Sequence, residues 1–175
     1  MKKVLVLVMW TVCVAGAYAQ GEAVSKFFNK YQSDETFSQV TVSSKMFSLF
    51  TDMEMEDKED QEVLEAISRL KGLKILAKDE ARNSRELYKE ATAALPAKEY
   101  EELMYVRDKD KDMKFYIRDE KGMINELVMI SGGDSEFMLL TLYGEIDLKT
   151  ISKIGRKMDV KGLENLEKMK DSKRN

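Results

Sequence analysis

Hydrophobic positions in this chain recur with two periods, and the change from one to the other separates helices from strands. Val24, Phe27, Phe28 and Tyr31 follow the helical spacing. They predict a short amphipathic helix from about Glu22 to Tyr31, ended by Ser33-Asp34. Phe37 to Ser43 (FSQVTVS) alternates and is rich in β-branched residues, which predicts a strand. Ser43-Ser44 can cap a second helix carrying Met46, Phe47, Leu49 and Phe50. The acidic run Asp52 to Asp57 leads into a helix with Val63, Leu64, Ile67 and Leu70 on one face, and Gly72 is its expected stop. Leu73 to Ala77 reads as a short strand. Asp79 or Asn83 can open a helix running to about Ala94, closed by Pro96, the only proline.

Beyond Pro96 the period falls to two. Leu103 to Arg107, Met113 to Arg118, Met123 to Ile130 and Glu136 to Tyr143 all read as strands. Asp108-Lys109-Asp110-Lys111, Glu120-Lys121-Gly122 and Ser131-Gly132-Gly133-Asp134 separate them with turn chemistry. Short turns between consecutive strands predict an antiparallel meander. Met113, Phe115 and Ile117 share one face of their strand, and Lys114, Tyr116 and Arg118 share the other, expected to be wet. Asp147 caps a last helix with Leu148, Ile151, Ile154 and Met158 at helical spacing, before Gly162 and a final piece with Leu163, Leu166 and Met169. The expected fold class is α+β: an antiparallel sheet with a C-terminal four-strand meander and helices packed on one face. Residues 20–170 are expected to form one domain and residues 171–175 a disordered tail.

The N-terminus changes the chemical inventory. Met1-Lys2-Lys3, an apolar run from Val4 to Val14 and the small-residue site Ala17-Tyr18-Ala19 form the pattern of a secretory signal peptide over residues 1–19. Trp10 and Cys13, the only Trp and Cys, lie inside it, and the chain has no His. A chain beginning at Gln20 would therefore lack imidazole, thiol and indole. Lipid attachment at Cys13 is disfavoured, because Trp10 and Val12 occupy the lipobox positions that want Leu and a small residue.

Charge and chemistry narrow the reading further. The chain has 29 Lys and Arg against 32 Asp and Glu. Loss of Lys2 and Lys3 leaves 27 against 32, a net charge of −5. An acidic, evenly charged surface is a poor match for nucleic acid. No later stretch is long and apolar enough to be a transmembrane helix. Nucleophilic catalysis through histidine and zinc sites built from His and Cys are excluded for Gln20 onward. Asp108, Asp110, Asp112 and Asp119 have the spacing of an EF-hand loop, but Met113 stands where the sharp turn needs glycine. Asp52 to Asp60, with Met53 and Met55, offers oxygens and thioethers for weak metal binding, and reads better as acid favouring the next helix's dipole. Ser43, Ser44 and Lys45 could supply a Ser–Lys dyad, but capping explains the serines better. The methionines Met46, Met104, Met113, Met123, Met129 and Met138 suit core packing or an adaptable apolar groove. No catalytic, cofactor-binding or metal residue is singled out, and no cofactor is implied.

Phe27-Phe28-Asn29-Lys30-Tyr31, the run Phe37 to Phe47, and Tyr143-Gly144-Glu145-Ile146-Asp147-Leu148-Lys149-Thr150-Ile151 with Met158 resemble family 4252 of the domains of unknown function, over about Val24 to Leu166. The resemblance implies an exported, often lipid-anchored protein of Bacteroidota, with a single α+β domain and no assigned reaction. The chain departs from lipoprotein members in lacking a convincing lipobox.

The expected function is a non-enzymatic cell-envelope protein, periplasmic or extracellular and associated with the outer membrane, that contacts an envelope protein through edge strands. The alternatives are a carrier of an apolar ligand in a Met- and Phe-lined cleft and, behind it, a carboxylate-dependent hydrolase. The intact mass of the protein isolated from its own cells is expected to match Gln20–Asn175. A mass retaining residues 1–19, or an acylated Cys13, would overturn the leader assignment.

Overall fold

The computed structural model describes residues 22–49, 56–149 and 152. Ten elements follow in order: α1 (Glu22–Tyr31), β1 (Ser38–Ser43), α2 (Ser44–Ser48), α3 (Lys58–Ser68), β2 (Leu70–Lys78), α4 (Ser84–Ala94), β3 (Glu101–Arg107), β4 (Lys111–Glu120), β5 (Met123–Gly133) and β6 (Phe137–Ile146). The strands form one antiparallel sheet in the order β1-β2-β6-β5-β4-β3. The connection carrying α4 takes the chain from β2 to the far edge. The meander then walks back until β6 docks against β2. The signal-peptide residues, Met53, Met55 and the piece from Gly162 onward lie outside the described residues.

Alternation divides the apolar side chains between two cores. Tyr116, Val128, Ile130, Phe137 and Leu139 point to one face, beneath Val24, Phe27 and Phe28 of α1 and Leu87 and Ala91 of α4. Phe115, Ile117, Leu127, Met129 and Leu142 point to the other, where Phe47 of α2, Ile67 of α3 and Leu148 pack. The α+β class and the four-strand meander stand. The expectation of helices on one face holds for α1 and α4 and does not extend to α2 and α3. The face of β4 expected to be wet is also covered, with Tyr116 8% and Arg118 7% exposed. The reason is that Tyr116 joins the core beneath α4 while Arg118 is engaged by Tyr100 and Glu126, contacts invisible in local periodicity.

Two glycine readings change. Gly72 does not stop a helix. α3 ends at Ser68, whose hydroxyl bonds back to Glu65 O at 2.7 Å, and Gly72 lies within β2 opposite Ser43 and Tyr143. Leu70 sits three residues from Ile67, which suits a helix, but in β2 the irregularity between Leu70 and Gly72 brings it into the same core as Leu73. Gly132-Gly133 is not the hairpin turn either. Both residues belong to β5, and the turn is Asp134-Ser135-Glu136, closed by Gly133 N donating to Glu136 O at 3.0 Å. These glycines serve close approach: a Cβ at Gly132 would stand 2.4 Å from Tyr88 Cβ, and one at Gly133 would stand 2.3 Å from Asp110 O. Positive φ is used instead at Lys121 (56°) and Gly122 (84°), the two-residue turn between β4 and β5.

Gly132→Ala is expected to destabilise the fold by roughly 1–3 kcal/mol, because α4 must move off the sheet. Gly72→Ala, which meets its nearest atoms at 3.5 and 3.6 Å, should change stability by under about 0.5 kcal/mol. Urea unfolding of both variants measures the contrast.

Candidate functional site

The most unusual chemistry in the molecule is a polar cluster inside the helix-covered face. Glu126 of β5 is 0% exposed and lies in line with the buried Val128 and Ile130. Its register partner on β4 is Arg118, whose guanidinium reaches Glu126 Oε2 at 3.2 Å. The Tyr100 hydroxyl donates to Oε2 at 2.9 Å, and Thr141 of β6 donates to Oε1 at 3.2 Å. Tyr100 is held where the chain rises from Pro96, its N–H donating to Pro96 O at 3.1 Å. Its ring lies 5.9 Å from the Arg118 guanidinium carbon.

Burial sets the electrostatics. It pushes the Glu126 carboxyl above its ordinary value, against the opposing pull of the Tyr100 bond, the Arg118 charge and the Thr141 bond. Burial likewise pushes up the Tyr100 and Tyr143 hydroxyls, with the Glu126 charge adding to both. Among the described residues Glu126 is the one buried carboxylate. General acid–base cleavage of a glycoside needs two, facing a substrate. The cluster meets neither condition, and its geometry braces β4, β5 and β6 together.

Glu126 does not stand out from the surrounding charged residues in the sequence. A signal was present: a lone acid at an inward position of an otherwise apolar strand, with an arginine across the predicted hairpin. Counting back from the Lys121-Gly122 turn, however, sets Arg118 opposite Asn125. A register shift between Arg118 and Asp119 brings Glu126 there instead.

The residues weighed from sequence take other positions. Asp112 accepts from Tyr105 Oη at 3.0 Å and Arg107 Nε at 3.1 Å. Partial burial pushes its carboxyl up, but these two bonds outweigh that and hold it below its ordinary value. Asp108 accepts from Lys109 N at 2.7 Å, and Asp119 is exposed at the far end of β4. The aspartates of the EF-hand-like spacing therefore do not converge. Asp57 accepts from Asp60 N at 3.4 Å at the start of α3, so this acid of the run lies at the N-terminal end of that helix. Among the described residues no group of three or more acidic, His or Cys side chains could hold a metal ion. Ser43 precedes α2 without a side-chain capping bond. Asp147 does accept from Lys149 N, at 3.2 Å.

A groove of about 370 Å³ runs between α1 and α4. Phe27 and Pro96 line it, but so do Lys26, Lys30, Glu90 and Glu99. Glu90 ties it together, accepting from Lys30 Nζ at 2.5 Å and Tyr31 Oη at 2.8 Å. The Lys30 bond, first among the causes, holds the Glu90 carboxyl below its ordinary value. Charged walls suit an acyl chain poorly, and no methionine lines this groove. Met113 and Met129 are packed in the second core instead.

The two sheet edges differ in kind. β3 carries the charged residues Glu101, Glu102 and Arg107 and a bulge between Glu102 and Met104, devices that discourage a further strand. β1, Ser-Gln-Val-Thr-Val-Ser, has no charge and no proline, and it pairs with β2 from Ser38 to Ser43 without a register shift. Among the described residues it pairs on that side only. Val40 is 47% exposed in its middle.

Together these features define an α+β protein whose described residues form a six-stranded antiparallel sheet with helices on both faces and one uncharged, regular edge strand. Residues 31–154 match the model of the family described as Domain of unknown function (DUF4252), and the chain belongs to that family. No curated protein and no solved structure matches it.

The Tyr100 hydroxyl is worth most as a donor to a buried acid, so Tyr100→Phe is expected to cost about 1–3 kcal/mol in urea unfolding. Glu126 also makes stability depend on pH. Its folded pKa lies above the ordinary 4.5, so the native state binds this proton more readily than the unfolded chain. The resulting stabilisation is full below 4.5 and is lost as pH rises through the raised value. The stability of the wild type relative to Glu126→Gln should therefore fall as pH climbs above 4.5. A difference that stays constant with pH would contradict this.

Proposed function

We propose that this chain is an exported cell-envelope protein that works by strand-to-strand contact with another polypeptide rather than by catalysing a reaction. The observation that carries this is the uncharged β1 edge, which among the described residues pairs on one side only. An exposed edge presents unpaired backbone donors and acceptors, and proteins that do not use such an edge blunt it with charge, proline or a bulge. β3 is blunted in this way and β1 is not. Addition of a strand at β1 would satisfy that backbone ladder, with side chains at alternate positions supplying selectivity.

Export rests on the N-terminal pattern: Lys2-Lys3, the apolar run and Ala17-Tyr18-Ala19. That pattern supports a reading in which the protein works in the periplasm or outside the cell. Among the described residues no helix is long and apolar enough to cross a membrane. The chemistry available to Gln20 onward, without His or Cys, supports a contact role over a catalytic one.

Cross-linking of the tagged protein in its own cell envelope, with the linked residues mapped by mass spectrometry, tests this reading. Links from residues 38–43 to a polypeptide are expected, and Val40→Lys, which puts a charge in mid-strand, should abolish them. The proposal falls if repeated experiments yield no link from β1, or if Val40→Lys leaves the links unchanged.

A further inference from the structure

β1 has a pattern that reads the same in both directions. About Thr41, Gln39-Val40-Thr41-Val42-Ser43 runs polar, valine, threonine, valine, polar. The structure separates these residues by face. Gln39 reaches Tyr31 O at 3.3 Å on the α1 side, so Gln39, Thr41 and Ser43 belong to that face. Val42 packs in the second core, so Val40 and Val42 belong to the other.

From this we infer that the polypeptide at β1 is a second copy of the chain, paired antiparallel about a twofold axis perpendicular to the sheet, so that two six-stranded sheets become one of twelve. The inference rests on β1 being the contact edge proposed above. Such an axis keeps each face continuous, so directly opposed residues must come from the same face. Only registers that place odd positions against odd and even against even satisfy this. A slip of one residue would set Val40 against Thr41 from opposite faces.

Centring the axis on Thr41 sets Thr41 against Thr41, Val40 against Val42 and Gln39 against Ser43 of the second copy. The valine pairs would extend the apolar strip that Val42, Leu73 and Leu142 already form across the second face. Threonine opposite threonine is among the favourable cross-strand pairs. Centring on Val40 instead would set Ser38 against Val42 and lose one apolar match. An arbitrary extended peptide has no reason to repeat this order, whereas a second copy repeats it by symmetry, as a twofold interface requires. Val40, Met46 and Leu49, three of the exposed large apolar side chains, also fall on β1, on α2 and at the residue that follows it.

Analytical ultracentrifugation over a concentration series tests this with the intact purified protein. The wild type is expected to dimerise reversibly. Thr41→Asp and Thr41→Lys each place like charges opposite each other at the axis and should weaken dimerisation roughly tenfold. An equimolar mixture of the two variants should restore it, which also shows that both are folded. A wild type that stays monomeric throughout, or Thr41 variants that dimerise as well as it does, would overturn the second copy as partner. Envelope cross-links from β1 to a different polypeptide would overturn it too while leaving the contact-edge reading in place. Absence of any link from β1 would remove both.

Discussion

β6 is the strand on which the sheet closes. It pairs with β2 from Phe137 to Gly144 and with β5 from Phe137 to Ile146, so it joins the N-terminal strand pair to the meander. Its side chains enter both cores, Phe137 and Leu139 on one face and Leu142 and Ile146 on the other. No local pairing substitutes for this contact, because β2 and β6 are separated by α4 and three strands. Loop-closure entropy for so distant a pairing must be met before its burial is gained, a topology associated with slow folding. Once β6 is seated, the edges follow: β2 and β5 become interior, and β1 and β3 are left outside.

The Glu126 cluster lies beside this closure. Thr141 of β6 and Arg118 of β4 approach the same carboxylate from opposite sides of β5. A buried ion pair adds little net stability over well-packed apolar residues of similar volume. It does penalise misalignment, since a slip of either neighbour would leave a charge in a dry core without its partner. Register matters here because shifts occur at Arg118/Asp119, at Ile124/Glu126 and at Leu70/Gly72, all near one end of the sheet. At that end Gly144 has φ of 131°, and a Cβ there would stand 2.6 Å from Arg69 O. Hydrogen bonds alone would allow neighbouring registers, and the polar cluster and the close backbone packing select one.

In its described residues the molecule uses acidic side chains to hold the fold together. Its carboxylates are either exposed or engaged as braces and caps, as Glu90, Asp112, Asp57 and Asp147 show. The two sheet edges differ in charge and regularity. β3 carries Glu101, Glu102 and Arg107, whereas Ser38 to Ser43 carry no charge. A strand used for recognition must forgo the charges that protect an idle one.

Much of this was legible from local pattern. The amphipathic spacing of Val24, Phe27 and Phe28, the alternation of Met113, Phe115 and Ile117, and the turn at Lys121-Gly122 located α1, β4 and the β4–β5 hairpin, because each depends on residues close in the chain. The residues resembling the family also identified it correctly. What local pattern could not settle was which strands become neighbours and what covers each face. Tyr116 and Arg118 look like a wet face until α4 lies over it, Gly132 looks like a turn until Tyr88 packs against it, and Glu126 meets Arg118 only through a register shift. Periodicity reports how a segment sits on a surface, whereas covering that surface requires a distant segment whose arrival no short window of residues contains.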